Sequence, residues 1–411
     1  MLEPVYLFAA ARSDFKRNFK KEGKSLRQAI PEMAREVLAA AELAPREVQS
    51  AIVGNFAGGM FSKQLHLGSC VLDAHPDLVG IPTLHVEAAC ASGATAVLTA
   101  AQQIMGGLHD VVLVVGAEQQ KTMPPLEVGE VLAAAGDVES ERAQYGEYLF
   151  PKLFARVAEL YRQRFALSEE DLARVSVKNI AHAQANPLAQ TRGSPLSMAD
   201  AMRESEKNPR FAPPLKITDC SQITDGAAAL VLCSEAFWKK RRGPATGIRL
   251  AGFGQTTDRL QLAHKDVPTF AMAQRAAHRA FSMAGSKPTD LHGVDVHDCF
   301  SISEIIAYEI LGLAEPGNGP KLLASGATAL PTARAAMGAG NPTLSIPVNP
   351  GGGLIGDGHP VGATGVRQVA ECFSQLSGTA GARQIEGARR YLTFNMGGSF
   401  TTSVVMIWEK E

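Results

Sequence analysis

The chain repeats itself. Residues 45–56 read PREVQSAIVGNF and residues 288–300 read PTDLHGVDVHDCF. Each opens on Pro and charge, passes through a short apolar stretch, and ends in a polar turn closed by Phe. CASGAT at 90–95 is matched by HPVGAT at 359–364, which puts Cys90 and His359 at the same offset from Gly-Ala-Thr. DGAAALVLCSE at 225–235 resembles GSFTTSVVMIWE at 398–409, both apolar strand runs. One such pair arises easily by chance; three in the same order imply two similar halves derived by duplication.

Each half alternates strand and helix. VYLFAAA, SAIVGNF and VVLVVGAE are short continuous apolar runs, the pattern of strands covered on both faces. Between them, SLRQAIPEMAREVLAAAEL and GATAVLTAAQQIMGG have helical period and length. The second carries no charge from Ala91 to Ile104, so it is expected to be buried on all sides. Two such halves side by side give a layered α/β/α/β/α body with the charge-free helices in the middle. The stretch 121–219, richer in charge, Pro and Tyr, has no counterpart in the second half and reads as an inserted loop or lid domain. The expected organisation is a first half at 1–120 and 220–256, the lid at 121–219, and a second half at 257–411.

Charge and cysteine content narrow the function. Lys and Arg total 40 against 41 Asp and Glu, so the basic excess that general nucleic-acid or membrane-surface binding needs is missing. Cys70, Cys90, Cys220, Cys233, Cys299 and Cys372 are scattered, with no CxxC pair, which favours free thiols in a reducing compartment over a disulfide scaffold or structural zinc. No run of about 18 apolar residues suggests a membrane span. A cytoplasmic enzyme is the expectation.

Cys90 lies where a strand ends and a helix begins, and a thiol at a helix N-terminus is expected to have a lowered pKa and thiolate character. The competing reading is a buried structural cysteine. His359 follows five glycines between Gly351 and Gly358, a tightly turned loop. Such a loop can cradle phosphate, but its spacing matches neither dinucleotide nor P-loop patterns. The repeat gives the stronger reading: helix starts bearing Cys90 and His359 face one pocket across a pseudo-twofold axis, a base beside a thiol nucleophile. His297 and Cys299 alternate along a strand, so both point at one spot while Asp298 points elsewhere. A His-x-Cys metal site needs two further ligands, which the sequence does not offer at sensible spacing. His182 has no readable partner and is taken as structural.

Over nearly its whole length the chain resembles the thiolase family, most closely the branch related to the thiolase domain of sterol carrier protein. The motifs are AAARSDFKR near the start, EAACASGA around Cys90, VVGAEQ at 114–119, SQITDGAAALVL at 221–232, HDCF at 297–300, NPGGGLIGDGHPVGATG at 349–365 and NMGGS at 395–399. The resemblance implies a five-layered α/β/α/β/α fold, the inserted loop domain, and a homodimer or homotetramer. It implies acyl transfer between an active-site thiol and coenzyme A, which is a substrate, with no metal or redox cofactor. Position by position, Cys90 resembles the acylated nucleophile and His359 its activator. His297 is the group that helps His359 hold the thioester oxygen, and Cys299 the thiol that exchanges a proton at the substrate's α-carbon. The backbone N–H groups of Cys90 and Gly397 form the implied second oxyanion hole. Many thiolases carry a catalytic Cys in C-x-G where this chain has Asn395-Met396-Gly397, consistent with Cys299 taking that role. The stretch 324–345 matches less well. A ketosynthase-like condensing enzyme and a catalytically poor CoA- or lipid-binding subunit are the alternatives.

Overall fold

The computed structural model describes residues 3–243 and 246–411. Among the longer elements, the first half forms β1 (Val5–Arg12), α1 (Leu26–Ala41), β2 (Ser50–Gly54), β3 (Thr83–Val86), α2 (Ser92–Met105) and β4 (Val111–Glu118). An insertion with α3 (Leu149–Arg164) and α4 (Glu169–Gln184) separates these from β5 (Gly226–Ser234). The second half forms β6 (Ile248–Thr257), α5 (Ala271–Ala284), β7 (Gly293–Asp295), α6 (Ser301–Ile310), α7 (Thr364–Ser377), β8 (Arg390–Gly397) and β9 (Thr402–Lys410).

The strand order is β3-β2-β4-β5-β1-β6-β9-β8-β7. From β1 outward the pairings run antiparallel to β5, antiparallel to β4, then parallel to β2. From β6 outward they run antiparallel to β9, antiparallel to β8, then parallel to β7. The two series are the same, and even the bulges correspond, between Leu7 and Ala9 and between Leu250 and Gly252. β3 pairs parallel with β2, and its counterpart is reduced to one parallel bridge, Val294 to Val348. The duplication is therefore a duplication of topology. The two sheets touch edge to edge through one pair, Tyr6 with Arg249. Because β6 runs along β9 over its length, we draw the division between halves before Ile248 rather than after 256.

Strand alternation explains the layers. In β4 Val112 and Val114 join a core with α2 and α7, while Val111, Leu113 and Val115 join the core beneath α1. β5 divides the same way, which is why both strands read as unbroken apolar runs. On the second sheet, Val404, Met406 and Trp408 face the middle helices, and Val405 and Ile407 face α5 and the lid. The order is α1, first sheet, α2 with α7, second sheet, α5. The lid packs on the second half through α4 against α6, and Phe154 of α3 stacks on Phe300 at 4.6 Å.

One expectation fails locally. α2 is not buried all round: Thr95, Thr99 and Gln103, one helical stripe, are half-buried and Gln102 is exposed. The uncharged small residues that suit a middle layer also suit an open face beside β3, the strand at the end of the sheet.

Candidate active site

The Cys90 turn is built by its neighbours. Ala89 adopts φ +51°, a left-handed conformation unusual for a residue with a side chain. Ser92 Oγ accepts from Ala88 N at 2.9 Å and donates to Ala89 O at 2.6 Å, and Glu87 accepts from Ala89 N at 2.5 Å. These bonds hold the turn and thrust Cys90 off the start of α2. The end of β8 closes over it: a Cβ at Gly397 would lie 2.2 Å from Ala88 O, so only glycine fits there. The N–H of Gly398 donates toward the Cys90 sulfur.

The His359 loop is tied down from three sides. Asp298 accepts from Leu354 N at 2.7 Å, Ile355 N at 3.2 Å and Asn179 Nδ2 at 2.7 Å. Glu118, the end of β4, accepts from Gly362 N at 3.0 Å, Phe56 N at 2.9 Å and Asn55 Nδ2 at 2.8 Å. His359 N donates to Thr224 Oγ1 at 3.0 Å, and its Nδ1 lies 2.7 Å from Thr364 Oγ1. The glycine-rich loop thus gives the N–H groups of Leu354 and Ile355 to a carboxylate of its own chain, not to a phosphate. Asp298 turns to this loop, but not by strand alternation: the strand ends at Asp295 and residues 297–299 lie beyond it.

The two repeat-related helix starts meet where their side chains are smallest. A Cβ at Gly93 would lie 2.8 Å from Gly362 O and 2.9 Å from Gly365 N, so α2 and α7 cross in backbone contact. That crossing brings Cys90 and His359 together. The Cys90 sulfur and ring nitrogens of His297 and His359 all lie within 4.8 Å of one another, and the two rings meet edge-on with centroids 5.0 Å apart. Cys299 is buried nearby, its sulfur 3.8 Å from Ser303 Oγ. Gly397 packs against the Cys90 turn. All five residues singled out by sequence therefore converge.

Their electrostatics differ from expectation. Burial pushes the Cys90 thiol up to about 12, with Glu118 and Glu87 adding to the rise and the Gly398 N–H only partly opposing it. Burial thus acts against the thiolate that a helix start favours. Cys299 is held well above the ordinary thiol range by burial and then by Cys90. Burial, and after it the positive charge of Arg367, brings His359 down to about 3. His297 is lowered well below its usual value by burial, then by His359 and Arg367. The resting site is a set of neutral thiols and neutral imidazoles.

Sulfur and two imidazoles at this spacing resemble a three-ligand metal set. A metal-binding imidazole passes its other N–H to an acceptor. His297 Nδ1 instead faces an amide donor, Asn395 Nδ2, at 2.8 Å. The arrangement fits a nucleophile with its base better than a metal centre.

Sequence reasoning missed the buried polar groups around the site. Arg367 pairs with Asp295 at 2.7 Å and lies 3.4 Å from Asp357, which Arg12 also grips. Lys178 bonds Glu304, and Glu304 accepts from Asn179 and Asn349 at 2.7 Å each. Their signal was a charged residue inside an otherwise apolar segment, as with Glu118 closing VVLVVGAE. His182 is structural as expected, with Nδ1 2.9 Å from Asn349 O and Nε2 accepting from Leu330 N.

Comparison with known proteins gives the same grouping. Residues 5–236 match the model of the thiolase N-terminal domain, and residues 254–410 that of the thiolase C-terminal domain-like family. The chain is 36% identical to an acetyl-CoA acetyltransferase of Methanothermobacter thermautotrophicus over 94% of its length and 95% of that protein's. It is 32% identical to sterol carrier protein 2 of Bos taurus over 92% of its length and 68% of that protein's. The benzoylsuccinyl-CoA thiolase subunit BbsB of Thauera aromatica is 32% identical over 84% of this chain and 83% of its own. Human mitochondrial 3-ketoacyl-CoA thiolase with CoA superposes with TM-score 0.70 at 18% identity, covering 100% of this chain and 98% of that one. The Ltp2-ChsH2(DUF35) aldolase gives TM-score 0.79 at 19% identity, covering 98% of each chain. With both family domains matched in order across almost all its residues, the chain belongs to the thiolase family.

Proposed function

We propose that this enzyme, an acyltransferase, runs CoA-dependent thiolysis of a 3-ketoacyl-CoA, or the reverse Claisen condensation, through an acyl-Cys90 intermediate. The observation that carries the reading is the convergence of a half-buried thiol with two buried imidazoles at the crossing of the two repeat-related helices. As the Cys90 sulfur attacks the keto carbonyl, His359 takes its proton. The N–H groups of Cys90 and Gly397 hold the resulting oxyanion. The carbon–carbon bond then breaks, leaving the acyl group on Cys90 and an enolate of acetyl-CoA whose oxygen His297 and His359 stabilise. Cys299, a protonated thiol at rest, gives its proton to the enolate carbon. The thiol of a second CoA gives its proton to the Cys299 thiolate and attacks acyl-Cys90; acyl-CoA is released and the departing Cys90 sulfur recovers its proton from His359.

A cavity of about 410 Å³ reaches residues 220–223 beside the site and suits part of an acyl-CoA. Tyr148, Phe150, Phe211 and Ile217 line it from the lid side, and Ile223, which bridges His359, lines its inner end. Apolar walls suit a hydrophobic acyl tail or the pantetheine arm. The exposed edge of β3, with Leu84 at 46% exposure beside the open stripe of α2, supports a homodimer formed by edge pairing about a twofold axis. Among the described residues no helix is long and apolar enough to cross a membrane, and a cytoplasmic location is the companion proposal.

Intact-mass analysis after mixing with acetyl-CoA, followed by peptide mapping, tests the reading. One acetyl group on Cys90 is expected. No adduct, or one elsewhere, favours the CoA-binding subunit reading instead; preference for carrier-protein thioesters over acetyl-CoA favours a ketosynthase.

A further inference from the structure

The two imidazoles are wired differently. Thr364 Oγ1 lies 3.0 Å from Pro360 O, and a carbonyl only accepts, so the hydroxyl gives its one hydrogen there. Thr364 must then accept from His359 Nδ1–H at 2.7 Å, which leaves His359 Nε2 bare. At His297 the wiring is reversed. Asn395 Nδ2 has only hydrogens to offer Nδ1 at 2.8 Å, so the ring proton belongs on Nε2. That Nε2 is buried and, like Asn395 Oδ1, has no hydrogen-bond partner among the described residues. A donor left unsatisfied in a closed site is a cost unless something arrives to accept from it. The amide is oriented by its other end: Oδ1 sits 2.5 Å from where a Gly365 Cβ would be, so a Cα–H points at it. A carbonyl oxygen tolerates that contact, whereas an NH₂ group would not.

We infer that Asn395 is a positioning residue that fixes His297 as its Nε2–H tautomer, so that this ring donates to the substrate oxygen from the outset while His359 acts first as base. His359 gains a proton to donate only after taking it from Cys90. The thiol that C-x-G would supply at position 395 is thus replaced by an amide with a different task. The kinetic consequence rests on the acyl-transfer reading; the protonation pattern does not.

The test is ¹⁵N NMR of the full-length enzyme labelled at histidine, with the His297 signals assigned by their loss in His297→Gln. Wild type should show His297 with Nε2 protonated and Nδ1 bare. In Asn395→Asp the carboxylate can only accept, so Nδ1 should become protonated. Loss of one preorganised donor should lower acetoacetyl-CoA formation about 100-fold, and at least about tenfold more than it lowers acetylation of Cys90. A merely structural role would depress both steps alike. Protonated Nδ1 in wild type overturns the inference, as does an Asn395→Asp enzyme whose condensation is unchanged or falls in parallel with acetylation. Should Asn395→Asp not fold, the wild-type spectrum decides. Failure of wild type to acetylate Cys90 would sink the acyl-transfer reading while leaving the tautomer pattern standing.

Discussion

Gly365 stands where α7 begins, against the start of α2. Alanine there would place a Cβ 2.2 Å from Ala94 N, 2.8 Å from Ala94 Cα and 2.5 Å from Asn395 Oδ1. Ordinary contact begins near 3.4 Å, and the first two atoms are backbone, so the helix starts must part by roughly 1 Å. Overpacking of this kind costs about 1–3 kcal/mol. The kinetic penalty is the more telling one. Cys90 precedes α2 and His359 precedes α7, so the separation acts directly between nucleophile and base, and a displacement of about 1 Å costs on the order of 100-fold in rate. Quenched-flow measurement of Cys90 acetylation, beside thermal unfolding, gives both quantities. Gly340→Ala is the control, since nothing lies within 4 Å of its Cβ position. A Gly365→Ala enzyme that acetylates Cys90 at the wild-type rate would show that the glycine crossing does not set the spacing of the pair.

Three other outcomes are expected. Because burial pushes the Cys90 thiol up to about 12, its alkylation by iodoacetamide, read by peptide mass spectrometry, should climb steadily from about pH 6 to about pH 9.5. A plateau centred near neutrality would mean a resting thiolate–imidazolium pair and refute the neutral site. Leu84→Asp on the β3 edge should shift the protein to monomer in sedimentation velocity; an unchanged assembly would place the interface elsewhere. Acid stability should depend on Glu118. His359 and His182 are each lowered to about 3, so each loses stability as pH falls below its unfolded value of about 6.5, by about 1.4 kcal/mol per pH unit. Glu118 and Asp298, raised to about 7 by burial, act in the opposite sense: their contribution grows as pH falls from about 7 to about 4. Glu118→Gln removes one offsetting group, so its urea-unfolding free energy should fall more steeply than wild type between pH 6.5 and 5, by about 1.4 kcal/mol per unit. Parallel slopes would show that Glu118 does not carry the proton.

What the sequence disclosed and what it withheld divide along a physical line. The duplication, the lid and the meeting of Cys90 with His359 were legible because they follow from local patterns: apolar runs, helix period, and a repeated Gly-Ala-Thr at two helix starts. The state of the thiol was not. A helix N-terminus can be read from sequence, but the enclosure that overrides it is a property of the assembled layers. The open stripe of Thr95, Thr99 and Gln103 was invisible for a related reason, since small uncharged residues serve a buried helix and an exposed one equally well. Asn395 was noticed only as an absent cysteine. Its contact with His297 joins residues 98 positions apart, one on β8 and one just past the end of the neighbouring strand β7, and no pattern in either segment announces it.

Neutrality at the centre is made possible by charge held one layer behind it. Arg367, Asp295, Asp357 and Arg12 form a paired, buried cluster, and Lys178 with Glu304 forms another behind Asp298. Buried ion pairs contribute little to stability against apolar residues of the same size. Their use here is positional and electrostatic. Asp298 and Glu118 spend their acceptor capacity on the backbone N–H groups of the His359 loop, so the base is aimed by carboxylates that never touch substrate. The positive charge of Arg367 opposes protonation of both imidazoles before reaction and favours the negative oxygen that appears during it. A site that begins without charge has no hydration shell to strip from its nucleophile; the first oxyanion to form is met by the backbone donors, and the enolate oxygen that follows is met by His297 with Arg367 behind it.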